Sequence, residues 1–357
     1  MRRRHVPVLV AISILLAVDA TSVPATQVAA GTAEAVPYVR RAQTPIRQTP
    51  SPSSRPTWPA PPAAARIRFL RTLDPAAVRG RPSVFSRLLT VLTGAQVEPK
   101  MSQPYGIAVG PDRRIYVVDT FGGTIHVYNL EKPDYSSIKV DGNSLIGIGF
   151  AANRMFVTDS ASGRLLCLDT RGRIQWTRGP KDGFERPTGI ATSKERLYVV
   201  DTMKHRVVMV SVTGTIIGSF GTRGGGPGEF NFPTNIARSS DGRLFVTDSM
   251  NFRVQVFNED GRLLNTFGRL GDGSGDFDKP KGIAVDSAGH IYVVEGFNDV
   301  VQIFDDEGKL LLAFGGSGFG EGQFWLPSGI AISNDVVYVS DSANRRVQVF
   351  EYLKEGR

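Results

Sequence analysis

The side chains that could do chemistry in this chain are few, and most recur at regular intervals. Six acids, Asp119, Asp159, Asp201, Asp248, Glu295 and Asp341, each close a short apolar phrase: IYVVDT, MFVTDS, LYVVDT, LFVTDS, IYVVEG and VYVSDS. Gathered on one face, they would make a site for a cation or an amine. Ser or Thr follows five of the six, and such residues commonly engage the backbone N–H groups of a local turn. The expectation is therefore an acidic ring with a structural role. Histidine offers less. His5 lies in the N-terminal tail, and His126, His205 and His290 fall in three different copies of the repeat. A catalytic metal needs three convergent ligands, so neither a metal nor a cofactor is expected. The one cysteine, Cys167 in LLCLD, reads as a small buried hydrophobe and excludes an intramolecular disulfide. The run Gly224–Gly228 (GGGPG) resembles a phosphate loop. A proline and a strand-like run follow it, where a nucleotide site requires a helix N-terminus.

These residues are positioned by a repeat. The phrase Pro-x-Gly-Ile-Ala and its variants begin at Pro104, Leu145, Pro187, Pro233, Pro280 and Pro327, at steps of 41, 42, 46, 47 and 47 residues. A period of this length built of short Val-, Ile- and Tyr-rich runs implies propeller blades. Each copy divides into four strands, a to d, with Asp-Gly pairs such as Asp241-Gly242 and Asp260-Gly261 suited to tight hairpins. The last copy ends at its strand c, RVQVFEY. The upstream run Ile67–Leu73 (IRFLRTL) is the expected closing strand, because it would remove an open sheet edge. The expected fold is an all-β, six-bladed propeller over residues 66–357.

The stretches PKGIAVDSAGHIYVV, NFRVQVFNEDGRLLNTFG and PSGIAISNDVVYVSDSANRRVQVF resemble the NHL repeat of six-bladed propellers. The resemblance implies the fold and leaves function open, since propellers carry unrelated sites. The propellers this chain resembles include a zinc lyase and lactonases. The former needs several co-facial imidazoles, whereas His205 is expected in a b–c loop and His290 in an a–b turn at the other end. The latter use inner-strand acids and amides, and the inner strands here (GIAV, GIGF, GIAT, NIAR, GIAV, GIAI) carry no carboxylate. Asn235, with Arg238 nearby, is the polar exception.

The b–c and d–a loops share one face. Three d–a loops are long and glycine-rich: TRGGGPGEFNFP, RLGDGSGDFDKP and GSGFGEGQFWLP. Phe230, Phe277 and Phe324 are expected to anchor them between blades. Phe232 and Trp325 depart from the middle loop, which has Lys279 and Asp278 at those places. With His205, Arg206 and Asn235, they are the candidate partner-binding residues, because aromatics beside cations make good interface anchors.

The tail reads separately. MRRRHVPVLVAISILLAV is a basic start and an apolar run of 13 residues, followed by small residues around Ala25 and Ala30. Residues 1–30 are expected to be a signal peptide, and 31–65 a Pro-rich disordered linker. The protein is then exported to the periplasm or outside the cell; an uncleaved signal helix anchoring it at the inner membrane is the alternative. A stretch at about 83–93 has helical apolar spacing. Net charge is +8, of which residues 1–65 carry +5 from seven Arg against Asp19 and Glu34. The remaining charge is too small for a nucleic-acid footprint. The expectation is a monomeric binding module for a protein or peptide, more a binder than an enzyme. A metal-dependent lyase or hydrolase is the alternative, and nucleic-acid binding comes last.

Overall fold

A computed structural model describes residues 55–75, 100–129, 131 and 134–354. The expected signal peptide, most of the expected linker and the expected helix at 83–93 lie outside them.

Six antiparallel sheets form six blades. Blade 1 comprises Pro104–Val109, Ile115–Asp119, Thr124–Asn129 and Asp134–Lys139; blade 2 comprises Leu145–Ala151, Arg154–Asp159, Arg164–Leu168 and Ile174–Arg178. Blade 3 has Pro187–Thr192, Arg196–Asp201, Arg206–Ser211 and Ile216–Phe220, and blade 4 has Pro233–Arg238, Leu244–Asp248, Arg253–Phe257 and Leu263–Phe267. Blade 5 has Pro280–Val285, Ile291–Glu295, Val300–Phe304 and Leu310–Gly315. Blade 6 combines Ile330–Ser333, Val336–Asp341 and Arg346–Tyr352 with Ile67–Leu73, which runs antiparallel beside Arg346–Tyr352. The outer strand of the last blade thus comes from the N-terminal side of the chain. Strand a of each blade packs beside strand a of the next, including blade 6 on blade 1.

Strand b is buried along its whole length in all six blades but for its first residue in some, because its two faces meet neighbouring sheets. In blades 1 to 4, strand d is exposed or half-buried along most of its length, as an outer edge must be. The glycine of Pro-x-Gly-Ile-Ala has a steric cause. A Cβ at Gly106, Gly147, Gly282 or Gly329 would overlap the carbonyl oxygen of Ile146, Thr188, Ser328 or Tyr105 on the next blade. Glycine lets the inner strands approach this closely.

The expected linker ends earlier than residue 65. Thr57–Trp58 pairs with Arg68 and Ile67 as a fifth strand of blade 6. The Trp58 ring lies 5.9 Å from both Phe314 and Phe350. Proline content argued for a solvated chain, but backbone pairing with the closing strand and the Trp58 ring hold this segment on the blade.

Candidate functional site: the loop-rich face

In five blades the ladder between strands a and b begins by pairing the first residue of strand a with the acid that ends strand b, as Pro233 pairs with Asp248. This register puts every acid under the d–a loop entering its own blade, and all six are buried. Their oxygens accept backbone N–H groups of that loop. Asp119 takes Ser102 and Gln103 at 2.5 and 2.9 Å. Asp159 takes Asn143 and Ser144 at 3.1 and 2.9 Å. Asp201 takes Glu185 and Arg186 at 3.3 and 2.8 Å. Burial alone would raise the Asp119 and Asp159 carboxyls, yet hydrogen bonds from His126, Ser162 and these N–H groups hold both below the ordinary range.

Blades 4 to 6 divide the work differently. Asp248 accepts Asn231 N–H at 2.6 Å, and the next N–H, of Phe232, goes to His205 Nδ1 of blade 3 at 3.1 Å. Asp341 accepts Trp325 N–H at 2.8 Å, and Leu326 N–H goes to Asp299 of blade 5 at 2.8 Å. Blade 5 has the longer Glu295, which takes both Asp278 and Lys279 N–H at 3.0 and 2.5 Å. His205, Phe252 and Asp299 hold the same repeat position, four residues after the acid, with φ of 52°, 56° and 55°. Gly123, Gly163 and Arg345 complete the set at 56°, 66° and 58°. In blades 1 to 3 an aspartate takes both N–H groups unaided. Among the three blades entered by long glycine-rich loops, the chain uses glutamate where the preceding blade offers Phe252, which has no acceptor. It uses aspartate where His205 or Asp299 takes the second N–H. His205 is thus a clasp between blades 3 and 4, buried and packed at a tilt against Phe232 at 4.6 Å, and it does not present its ring to solvent.

The glycine-rich loops are held from below. Gln255, Gln302 and Gln348 on strand c each donate to a loop carbonyl, of Glu229, Asp276 and Gln323, at 2.7, 2.8 and 2.5 Å. Each also accepts a loop glycine N–H, from Gly228, Gly275 and Gly322. Phe230, Phe277 and Phe324 are fully buried and wedge against the phenylalanines of strands c and d. The coincidence of Gln on strand c with a long glycine loop was present in the sequence and would have revealed these pins.

The five candidate contact residues separate into three places. His205 and Phe232 touch, and Arg206 beside them turns inward, donating to the Gly183 carbonyl at 2.8 Å and lying 3.6 Å from Asp201. Trp325 is elsewhere on the face, 46% exposed, and packs edge-on against Phe319 at 5.2 Å. Asn235 is in the wall of the central channel, a cavity of about 230 Å³ lined by strand a of all six blades. Its Oδ1 accepts the N–H of Ile236, and Arg238 is tied to Glu259 at 2.6 Å.

The histidines do not converge. His126 lies between Asp119 and Tyr135, at 3.3 and 2.8 Å, and His290 pairs with Asp286 at the opposite end. Among the described residues no group of three or more His, Cys, Asp or Glu is placed to hold a metal ion. Cys167 is buried, and burial pushes its thiol up, away from the reactive thiolate. Among the described residues no helix is long and apolar enough to cross a membrane.

What the sequence reading missed is an apolar ring. The second residue after each acid is Phe121, Ala161, Met203, Met250, Phe297 or Ala343. Phe121, Met203, Met250 and Phe297 are 62%, 39%, 40% and 49% exposed. Leu270, Phe319, Trp325 and Leu326 add exposed apolar surface from the d–a loops. The other large exposed hydrophobics of the described residues, Ile174, Ile216, Ile217, Leu264 and Leu311, lie on outer strands. None lies in the described a–b or c–d turns of the opposite face.

Comparison with known proteins agrees with this architecture. A family model described as a six-bladed beta-propeller matches residues 235–302, and the NHL-repeat model matches residues 324–350. Among solved structures, virginiamycin B lyase from Staphylococcus aureus aligns with TM-score 0.54 and 14% identity, covering 71% of this chain and 96% of that one. A gluconolactonase from Xanthomonas campestris aligns with TM-score 0.56 and 15% identity, over 84% and 99% of the two chains. An auxiliary nutrient binding protein from Bacteroides thetaiotaomicron gives 0.57 and 15%, over 71% and 70%. Identities this low establish the fold alone, and two of these three relatives are named as enzymes and one as a binder. From its repeat, its six sheets and the two family models, the chain is a six-bladed β-propeller with an NHL-repeat match at residues 324–350.

Proposed function

We propose that this propeller is an exported, monomeric binding module that takes a protein or peptide on its loop-rich face. One observation carries the reading: among the described residues the exposed large apolar side chains outside the outer strands all belong to that face, four of them at a single repeat position. Scattered apolar residues on a surface need no explanation, but a set confined to one face marks an interaction site. The acids and His205 serve this surface indirectly, by fixing the loops that carry it. The Arg-rich, apolar start of the chain supports export. The other class, a metal-dependent lyase or hydrolase, needs a convergent donor set, which the described residues do not supply.

The test compares immobilised wild-type protein with a variant carrying Phe121→Ser, Met203→Ser, Met250→Ser and Phe297→Ser. A second variant, Ile216→Ser with Ile217→Ser, changes an outer strand. Partners recovered from the exported fraction are expected with wild type and the outer-strand variant, and lost with the loop-face variant. Retention by the loop-face variant would remove the basis of the reading.

A further inference from the structure

The sulfur-bearing side chains of the described residues fall into two groups. Met101, Met155 and Cys167 are buried in the blades, and Met209 is half-buried on strand c of blade 3. Met203 and Met250 are exposed, and both stand on the loop-rich face. They hold one repeat position on neighbouring blades, where blades 1 and 5 carry Phe121 and Phe297. Half of the large apolar side chains at that position are therefore thioethers.

Their exposure is built into the backbone. Each is the middle residue of a single 3-10 turn, Thr202–Lys204 or Ser249–Asn251. The buried blade acid precedes the turn, and a left-handed residue, His205 or Phe252, ends it. Thr202 N–H donates to the Arg186 carbonyl at 3.0 Å, and Met250 N–H to that of Asn231 at 3.0 Å. With the turn tied down on the blade, the methionine side chain is left at the surface.

A thioether there is both a contact and a reactive group. An unbranched, polarizable side chain suits a binding surface. Its sulfur also carries a lone pair open to oxidants, whereas close packing shields a buried sulfur from them. The product, a sulfoxide, puts a polar group where an apolar one stood and disrupts interfaces that use methionine. At Met250 the product has a partner in place, because Lys279 Nζ lies 3.3 Å from Sδ. Thioether sulfur is a weak acceptor, and the sulfoxide oxygen gives that ammonium a stronger one.

We propose that Met203 and Met250 are an oxidation switch on the loop-rich face, set by peroxides. The sulfur lone pair attacks one oxygen of the peroxide. The O–O bond breaks and an S–O bond forms. The proton on the transferred oxygen passes to the departing one, which for hydrogen peroxide leaves as water. Sulfur loses two electrons and the peroxide gains them. Two polar groups on adjacent blades then interrupt the apolar ring between Phe121 and Phe297, and the face releases its partner. That consequence rests on the reading of this face as a binding surface; the modification itself does not.

The test treats the full chain with hydrogen peroxide and maps its peptides by mass. Met203 and Met250 should each gain one oxygen while Met101 and Met155 stay reduced, and the melting temperature should keep its untreated value. Oxidation of Met101 or Met155 as fast as Met203 and Met250, or a fall in melting temperature, would overturn the proposal. Immobilised protein is then challenged with the exported fraction. Peroxide should abolish capture by wild type, and a methionine sulfoxide reductase with dithiothreitol should restore it. Met203→Leu with Met250→Leu cannot take the oxygen, so its capture should not change on treatment, whatever the starting level. Recovery under the reductase decides the matter even where the leucine variant captures nothing. Wild-type capture that survives complete oxidation, or equal loss from the leucine variant, would leave no switch. If untreated wild type and the loop-face serine variant capture alike, the reading of the face fails and the switch falls with it. If those two differ and peroxide changes nothing, only the switch fails.

Discussion

If His205 and the length of the blade acid share one task, changing both should cost less than the separate changes imply. His205→Phe copies the residue that blade 4 carries at the same left-handed position, Phe252, so the backbone there tolerates it. The change strips the acceptor from Phe232 N–H, now held at 3.1 Å. A buried donor left unsatisfied costs about 1–3 kcal/mol, or about 2–4 °C per kcal/mol in melting temperature for a domain of this size. Asp248→Glu supplies the longer acid that blade 5 uses to take both N–H groups. Alone it has nothing to gain and crowds Arg253, which donates to Asp248 at 2.8 Å. In the His205→Phe background it can reach Phe232 N–H. The double-mutant cycle, read by thermal and urea melts, should show favourable coupling of about 1 kcal/mol, the net worth of one hydrogen bond. Strict additivity would refute the division of labour, whatever the single variants cost.

Other outcomes follow from the same geometry. Deleting Ile67–Leu73 should lower the melting temperature sharply by opening blade 6, whereas deleting residues 31–54 should leave it near wild type; equal melts would contradict closure by this strand. Trp58→Ala should cost about 1–3 kcal/mol in urea melts, less than a fully buried Trp, since the ring is partly exposed. Glu295, raised by burial from 4.5 to about 7, binds its proton more tightly when folded, so stability should decline as pH rises from about 4.5 to 7; melts of Glu295→Gln across that range should lack this decline. Once a partner is known, Trp325→Ala should weaken binding by about 1–3 kcal/mol, while Arg262→Ala on the opposite face changes nothing measurable by calorimetry. N-terminal sequencing of the native protein should find a start after Ala25 or Ala30 and place it outside the cytoplasm; a cytoplasmic product beginning at Met1 would refute export.

The sequence by itself determined the blade count and the strands, because two phrases in register six times report a local rule. Short-range sterics and pairing act identically in every copy, so repetition makes them legible. It also showed that Phe230, Phe277 and Phe324 anchor the glycine loops, since G-x-F recurs where the loops do. Tertiary structure decided what depends on contacts between copies. Whether His205 faces solvent turns on which N–H the next blade leaves open. Whether Glu295 takes both N–H groups, where Asp248 and Asp341 take one, turns on Phe252 in the preceding blade. The exposure of Phe121, Met203, Met250 and Phe297 likewise follows from the ring geometry, which turns one repeat position of each b–c loop outward on a single face. A linear reading sees each of these residues beside its chain neighbours, whereas their chemistry is set by residues tens of positions away.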